Sequence, residues 1–204
     1  MKKYFVFFDR KTIQEFLFKY GKGSNSKDYE LIVAIALSAS LEDMWKIPNV
    51  IGFELLDKYV RDLPDSGMIS IEQVEKIIRK YVEEKSPVDI AIAKGTIASH
   101  EPRGSAFQLK RFGMNAQEKS TSSLVDFLNE MPRKYSKNEV SLFVILEKGV
   151  EISPSELQKA IITDNYPFNK IMFMIMMNNK LMIGEFWPKS GMNEYDPEKL
   201  IDQI

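Results

Sequence analysis

Residues 105–112 read Ser-Ala-Phe-Gln-Leu-Lys-Arg-Phe, and the earlier stretch 87–92 reads Pro-Val-Asp-Ile-Ala-Ile. Apolar and polar side chains alternate along both stretches, which predicts two β-strands. Because successive side chains of a strand point to opposite faces, Gln108 and Lys110 share one face of the second strand. Asp89 lies on the polar face of the first strand. If the two strands are neighbours in one sheet, these three polar side chains converge.

The three side chains form a set that suits a divalent metal ion. Asp89 supplies a carboxylate and Gln108 an amide oxygen, and Mg²⁺ prefers hard oxygen ligands of this kind. Lys110 brings a positive charge that positions a metal-bound water or stabilises the charge developing on a phosphate. Each residue also has a structural explanation, because Asp after Pro is common at turns and Gln-Leu-Lys is ordinary on an exposed strand.

The patterns around these strands indicate a mixed fold in which helices come first. Three helix starts carry the spacing of a capping box, a Ser or Thr followed three positions later by Glu or Gln. Helical periodicity predicts helices over residues 13–20, 28–46, 50–63, 71–84, 121–131 and 154–163. Strands are predicted over 140–146 and, as a hairpin around Asn178-Asn179-Lys180, over 171–177 and 181–187. This order predicts the α/β class, with α+β as the alternative.

The 204 residues, 44% of them hydrophobic, are enough to bury a core without disulfide or metal staples. We expect a helical N-terminal segment of residues 1–47 followed by an α/β domain of residues 48–204, or one continuous domain. The absence of cysteine excludes disulfides, thiolate zinc sites and cysteine nucleophiles. The single histidine, His100, falls between the two motif strands and is interpreted as a loop residue rather than a catalytic base.

The chain shows no signal peptide and no apolar run long enough to span a bilayer, so we expect a cytoplasmic protein with no membrane partner. The formal net charge of −1 does not predict a strongly basic nucleic-acid binder. The charges are unevenly spread, however, since residues 103–137 are rich in Lys and Arg whereas residues 42–89 are rich in acids. A neutral total is therefore compatible with a basic face.

Pro87-Val88-Asp89 followed by Gln108-Leu109-Lys110 resembles the motif of the PD-(D/E)XK, or restriction-endonuclease-like, nuclease superfamily. More narrowly, it resembles the branch related to Mrr-type restriction enzymes and some Holliday-junction resolvases, where Gln often replaces the last acidic residue. The resemblance covers roughly residues 50–147. It implies an α-β-β-β-α-β core, here with a helical N-terminal extension and a C-terminal β-hairpin. It also implies hydrolysis of DNA phosphodiesters with Mg²⁺, or with Mn²⁺ in its place.

The resemblance further implies a glutamate on the helix before the motif strands. Glu54, on the helix predicted over 50–63, is the first candidate for this third metal ligand and Glu75 the second. A solvated ion pair between Glu54 and Lys58, four residues apart, is the alternative explanation. Three basic residues flank the motif and either contact phosphates or form a solvated rim. They are Arg103, Arg111 and Lys119.

Two other functions remain open from the sequence. The first is a catalytically inactive descendant of the nuclease fold that serves as a binding or assembly module. The second is a protein-interaction protein, with a homodimer as one form, that uses the apolar N-terminal helix and the methionine-rich hairpin of residues 172–182 as an interface.

Overall fold

The structure, a computed structural model of the chain, describes residues 3–20, 26–56, 61, 63, 69–81, 88–95, 103–137, 139–160, 166–189 and 191–196. Eight strands and six helices lie in this described part. The predicted mixed α/β class is therefore confirmed. The chain divides into two compact units, residues 1–106 with 198–204 and residues 107–197, and each is described by itself.

The first unit combines an antiparallel sheet with three helices. Its elements are β1 (Lys3–Asp9), α1 (Arg10–Tyr20), α2 (Ser26–Trp45), β2 (Asn49–Leu56), α3 (Ile71–Tyr81) and β3 (Ile90–Lys94), and β4 (Arg103–Phe112) begins in it. Strand β2 pairs antiparallel with both β1 and β3 and is therefore central to this sheet. The helices α1 and α2 both contact β2.

One face of this sheet forms the apolar core of the first unit. Alternate residues of β1 and β2, including Phe8 and Phe53, are almost fully buried, and those two rings lie 6.2 Å apart. Helix α2 is also deeply buried, with residues 33–38 all inaccessible to solvent. This agrees with the apolar character that its centre shows on every side.

The helix predicted over residues 50–63 is wrong in the region that the structure describes. Residues 49–56 form β2 instead, so Glu54 lies on a strand and not on a helix. The error has a physical cause. A strand buried on both faces shows no apolar–polar alternation, and a short apolar run of this kind cannot be told from a buried helix by periodicity.

Strand β1 was not among the predicted elements, so the N-terminal segment is not purely helical. It ends at Asp9, whose Oδ1 accepts a hydrogen bond of 2.6 Å from the backbone N–H of Thr12. Asp9 thus caps α1, which begins three residues earlier than the pattern predicted. At α3 the predicted capping box is confirmed, because Ser70 and Gln73 exchange reciprocal backbone–side-chain bonds of 2.8 and 3.3 Å.

The second unit is built on a mixed sheet. After β4 come α4 (Thr121–Asn129), α5 (Met131–Lys134), β5 (Ser141–Leu146), α6 (Pro154–Ala160), β6 (Lys170–Met177), β7 (Lys180–Trp187) and β8 (Gly191–Tyr195). Strand β5 lies parallel to both β4 and β6, and it is buried along its whole length. Strands β6, β7 and β8 then follow one another antiparallel.

The predicted C-terminal hairpin is confirmed as β6 and β7. Its two turn residues, Asn178 and Asn179, have φ angles of 50° and 60°, in the left-handed region that two-residue hairpin turns of type I′ require. Asparagine adopts this conformation more readily than most residues, which explains why the sequence signal was accurate. In the described part of the chain, no helix combines the length and the apolar character needed to cross a bilayer.

Candidate functional site

Two acidic residues of the first unit lie near the ends of neighbouring strands. The register between β2 and β3 places Ile51 opposite Ile92 and ends at the pair Gly52 and Ala91. Continued by two residues past this last pair, the register would place Glu54 of β2 opposite Asp89, which lies in a bend directly before β3. Directly opposed residues of antiparallel strands have Cβ atoms about 4.5–5.5 Å apart and point to the same face.

The surroundings of this carboxylate pair are partly closed to water. The Glu54 side chain is 8% exposed, and Asp89 is half-buried. On its other side Glu54 is opposite Phe5 of β1. The pair projects from the sheet face opposite the buried Phe53 and Ile90, because side chains alternate along each strand.

The donor set of the pair fits a hard divalent cation. Carboxylate oxygens on facing strands are ligands that Mg²⁺ and Mn²⁺ accept. In the described part of the chain no group of three or more His, Asp or Glu side chains is gathered closely enough to hold a metal ion by itself. Amide, backbone, substrate or water oxygens would therefore complete the coordination, as is usual for Mg²⁺.

Gln108 and Lys110 lie on the second half of β4, which belongs to the second unit. Gln108 is 3% exposed, and its Nε2 donates a long hydrogen bond of 3.4 Å to the carbonyl oxygen of Leu109. Lys110 is half-buried, and its Nζ lies 5.5 Å from the centre of the Tyr135 ring, a cation–π contact. The three residues of the predicted metal site thus divide between the units, with Asp89 in the first.

The flanking cations have structural partners. Arg111 forms a two-point ion pair with Glu147, with nitrogen–oxygen distances of 2.6 and 2.7 Å. The Nζ of Lys119 donates to the backbone carbonyls of Gly113 and Lys148. The backbone of Arg103 begins β4, and its side chain lies outside the described residues, as does His100. A role of these cations in binding phosphates stays a prediction.

Because residues 49–56 form a strand, Glu54 is not the helix glutamate that the resemblance implies. The helix that directly precedes β2 is α2, which carries Glu30 and Glu42. Glu42 accepts a 3.0 Å hydrogen bond from the backbone N–H of Asn49 and pairs with Arg10 at 3.0 Å, so it fixes the start of β2. Glu30 is half-buried near the first turns of α2. Glu75 lies on α3, further along the chain.

Comparisons of this chain with protein-family models, curated proteins and solved structures found no significant match.

Proposed function

We propose that this protein is a Mg²⁺- or Mn²⁺-dependent nuclease with a restriction-endonuclease-like core. The observation that carries the proposal is the antiparallel register of β2 and β3, whose continuation past Gly52 and Ala91 would bring Glu54 opposite Asp89. The next strand along the chain, β4, carries the Gln-Leu-Lys motif. Along the chain, two carboxylates are thus followed by an amide oxygen and an ammonium group, which are the groups that phosphodiester hydrolysis with a divalent ion uses.

The order of elements supports this fold. Along the chain, α2, β2, β3, β4, α4 and β5 follow the sequence α-β-β-β-α-β that the resemblance implies. Within that series β2 and β3 are antiparallel, whereas β4 and β5 are parallel and joined through α4. Helix α3, between β2 and β3, is then an insertion into the core, and β1 with α1 an N-terminal addition.

Each motif residue has a role in the proposed reaction. Asp89 and Glu54 of the first unit would hold the ion, with Glu30 as the candidate for the glutamate from the preceding helix. Gln108 keeps only the ligand role that the resemblance implies. The ion, when bound, activates water and stabilises charge on the phosphate. Lys110 orients the attacking water and stabilises the developing negative charge. Its contact with Tyr135 limits the directions that the ammonium group adopts.

The resemblance to the restriction-endonuclease-like superfamily implies DNA as the substrate, and the protein would act in the cytoplasm. The test is cleavage of supercoiled, linear and branched DNA with Mg²⁺ or Mn²⁺. Asp89→Asn and Lys110→Met should each lower the cleavage rate by about 100-fold or more, the usual cost of removing one charge-stabilising group. Asp126→Asn, a change at an exposed acid on α4, serves as the matched control and should leave the rate unaltered. Equal rates in wild type and Asp89→Asn would reject the proposal.

A protein-interaction role is the second candidate, and one observation favours it. Met176, Met177 and Met192, on β6 and β8, are exposed to solvent although methionine is apolar. Contiguous exposed apolar patches mark protein interaction surfaces, and exposed methionines on one sheet are candidates for part of such a patch. Sedimentation equilibrium would show a homodimer that Met176→Lys weakens. A folded chain that neither cleaves DNA nor binds Mn²⁺ would favour this role or that of an inactive nuclease-fold module.

A further inference from the structure

A cleft of about 200 Å³ opens in the first unit between residues of β1, β3 and β4. Phe5 and Phe7 of β1 form one wall. Small residues of β3 and of the first part of β4 form the rest, among them Ala91 and Gly104. The cleft is therefore an apolar slot with aromatic rings along one side.

The shape of the slot depends on glycine. A Cβ on Gly52, which lies opposite Phe7, would come within 2.7 Å of the Phe7 ring, so only glycine lets this ring lie flat on the sheet. A Cβ on Gly104 would lie 2.6 Å from the Cα of Ala93, so β4 approaches β3 more closely than any larger residue allows. The result is a narrow slot with a shallow floor.

The aromatic wall is open to solvent. The rings of Phe5 and Phe7 are 5.9 Å apart and only 22° from parallel, and Phe5 is 42% exposed. An exposed, nearly parallel aromatic pair offers a stacking face to a flat ring. Elsewhere on β1 the apolar side chains Val6 and Phe8 are buried against the helices, so the exposure of Phe5 is specific to this face.

The slot is linked to the carboxylate pair through Phe5, which lines the slot and is the cross-strand partner of Glu54. Phe5 lies directly opposite Glu54, and Asp89 is one strand further across the sheet. Two strand spacings, about 10 Å, therefore separate the backbone at Phe5 from that at Asp89. A ligand with a flat apolar ring at one end and an anionic, metal-binding group at the other matches this arrangement. A nucleotide has these two parts.

We propose that the slot takes an unpaired nucleobase, stacked on Phe5, next to the phosphate that water would attack at the ion held by the carboxylate pair. The proposal rests on the proposed nuclease function and adds the substrate class, which is single-stranded or locally unpaired DNA. A base inside an intact duplex has both faces covered by its neighbours and cannot stack on a protein side chain without leaving the helix. Stacking on an aromatic residue is the usual way in which proteins hold single strands without reading their sequence.

The test measures binding apart from cleavage. Fluorescence anisotropy with Ca²⁺ in place of Mg²⁺ would compare a labelled single-stranded 12-mer, its duplex and an abasic 12-mer of the same length. Wild type should bind the single strand at least tenfold more tightly than the duplex or the abasic strand. Phe5→Ala should weaken single-strand binding about tenfold, and Phe5→Trp should restore it. Phe18→Ala, which removes a ring that is 87% exposed on α1, is the matched control and should change nothing.

The outcomes separate this proposal from the nuclease function. Equal binding by Phe5→Ala and Phe18→Ala, or equal binding of normal and abasic strands, would overturn the nucleobase slot even if the protein cleaves DNA. Phe5-dependent binding in a protein that does not cleave with Mg²⁺ or Mn²⁺ would keep the slot and reject the nuclease. Thermal melting of each variant, expected within a few degrees of wild type because Phe5 is partly exposed, shows that the variants fold.

Discussion

Gly104→Ala tests how closely β4 approaches β3 at the floor of the slot. A Cβ built on Gly104 would overlap the carbonyl oxygen of Ile92 and lie 2.6 Å from the Cα of Ala93. Ordinary van der Waals contact begins near 3.4 Å and the Ile92 oxygen would lie at 1.9 Å, so the two strands would have to separate by roughly 1.5 Å. Paired strands are about 4.7–4.9 Å apart, and backbone atoms, unlike the end of a flexible side chain, cannot turn aside.

The expected cost follows from this geometry. Overpacking of a tight site costs about 1–3 kcal/mol, and a clash with several backbone atoms of β3 falls at the upper end, about 3 kcal/mol. For a chain of this size, each kcal/mol lowers the melting temperature by roughly 2–4 °C. Gly104→Ala should therefore lower the melting temperature by about 6–12 °C.

Urea unfolding and differential scanning calorimetry measure this change. The matched control is Gly191→Ala on β8, where an added Cβ would meet no atom within 4 Å. Alanine there is expected to be neutral or slightly stabilising, because it lowers the entropy of the unfolded chain. Equal melting temperatures for Gly104→Ala and wild type would refute the close approach of the two strands at this point, and with it the floor of the proposed slot.

Two further predictions concern the second unit. Lys119→Met should lower the free energy of unfolding by about 1–2 kcal/mol, as measured by urea unfolding. The reason is that a charged Nζ that donates to two backbone carbonyls is lost from a partly exposed site. If the variant loses more free energy of DNA binding than of unfolding, Lys119 instead contacts a phosphate. Burial raises the pKa of Tyr166 above its ordinary value of 10.0, so the hydroxyl stays protonated in the folded chain at pH values where the unfolded chain ionises. The contribution of Tyr166 to the free energy of unfolding should be constant below about pH 10 and should fall as the pH rises further. Tyr166→Phe removes the hydrogen bond that the hydroxyl donates to the carbonyl of Leu128, so the free energy of unfolding at pH 7 should fall by about 1 kcal/mol. Urea unfolding at pH 7 to 11 should show that the stability of this variant declines less at alkaline pH than that of wild type.

Local signals in the sequence were sufficient where the structure depends on neighbouring residues. The capping box at Ser70 predicted the start of α3, and the pair Asn178-Asn179 predicted the turn between β6 and β7. Alternation predicted β4, because one of its faces carries polar side chains. In each case the physical cause, a cap, a left-handed turn or a period of two, acts within a few residues of the chain.

The sequence was insufficient where the structure depends on distant residues. Strand β2 is buried on both faces, so Val50, Ile51, Phe53 and Leu55 are all inaccessible and no alternation remains to identify a strand. The pairing of β2 with β3 is a property of tertiary structure, and a shift of one residue would turn Glu54 to the opposite face. Both residues of the carboxylate pair were therefore proposed from sequence, but for Glu54 on the wrong secondary structure.

The most direct test of the account is Mn²⁺ binding measured by isothermal titration calorimetry. If Glu54 and Asp89 share one cation, the wild-type first unit should bind one Mn²⁺ per chain. Glu54→Gln and Asp89→Asn should each lower the Mn²⁺ affinity by about tenfold or more. The double variant should bind little more weakly than the weaker single variant, because two ligands of one ion do not act additively. Asp126→Asn should bind as wild type does. Mn²⁺ affinity that neither Glu54→Gln nor Asp89→Asn alters would contradict the shared site.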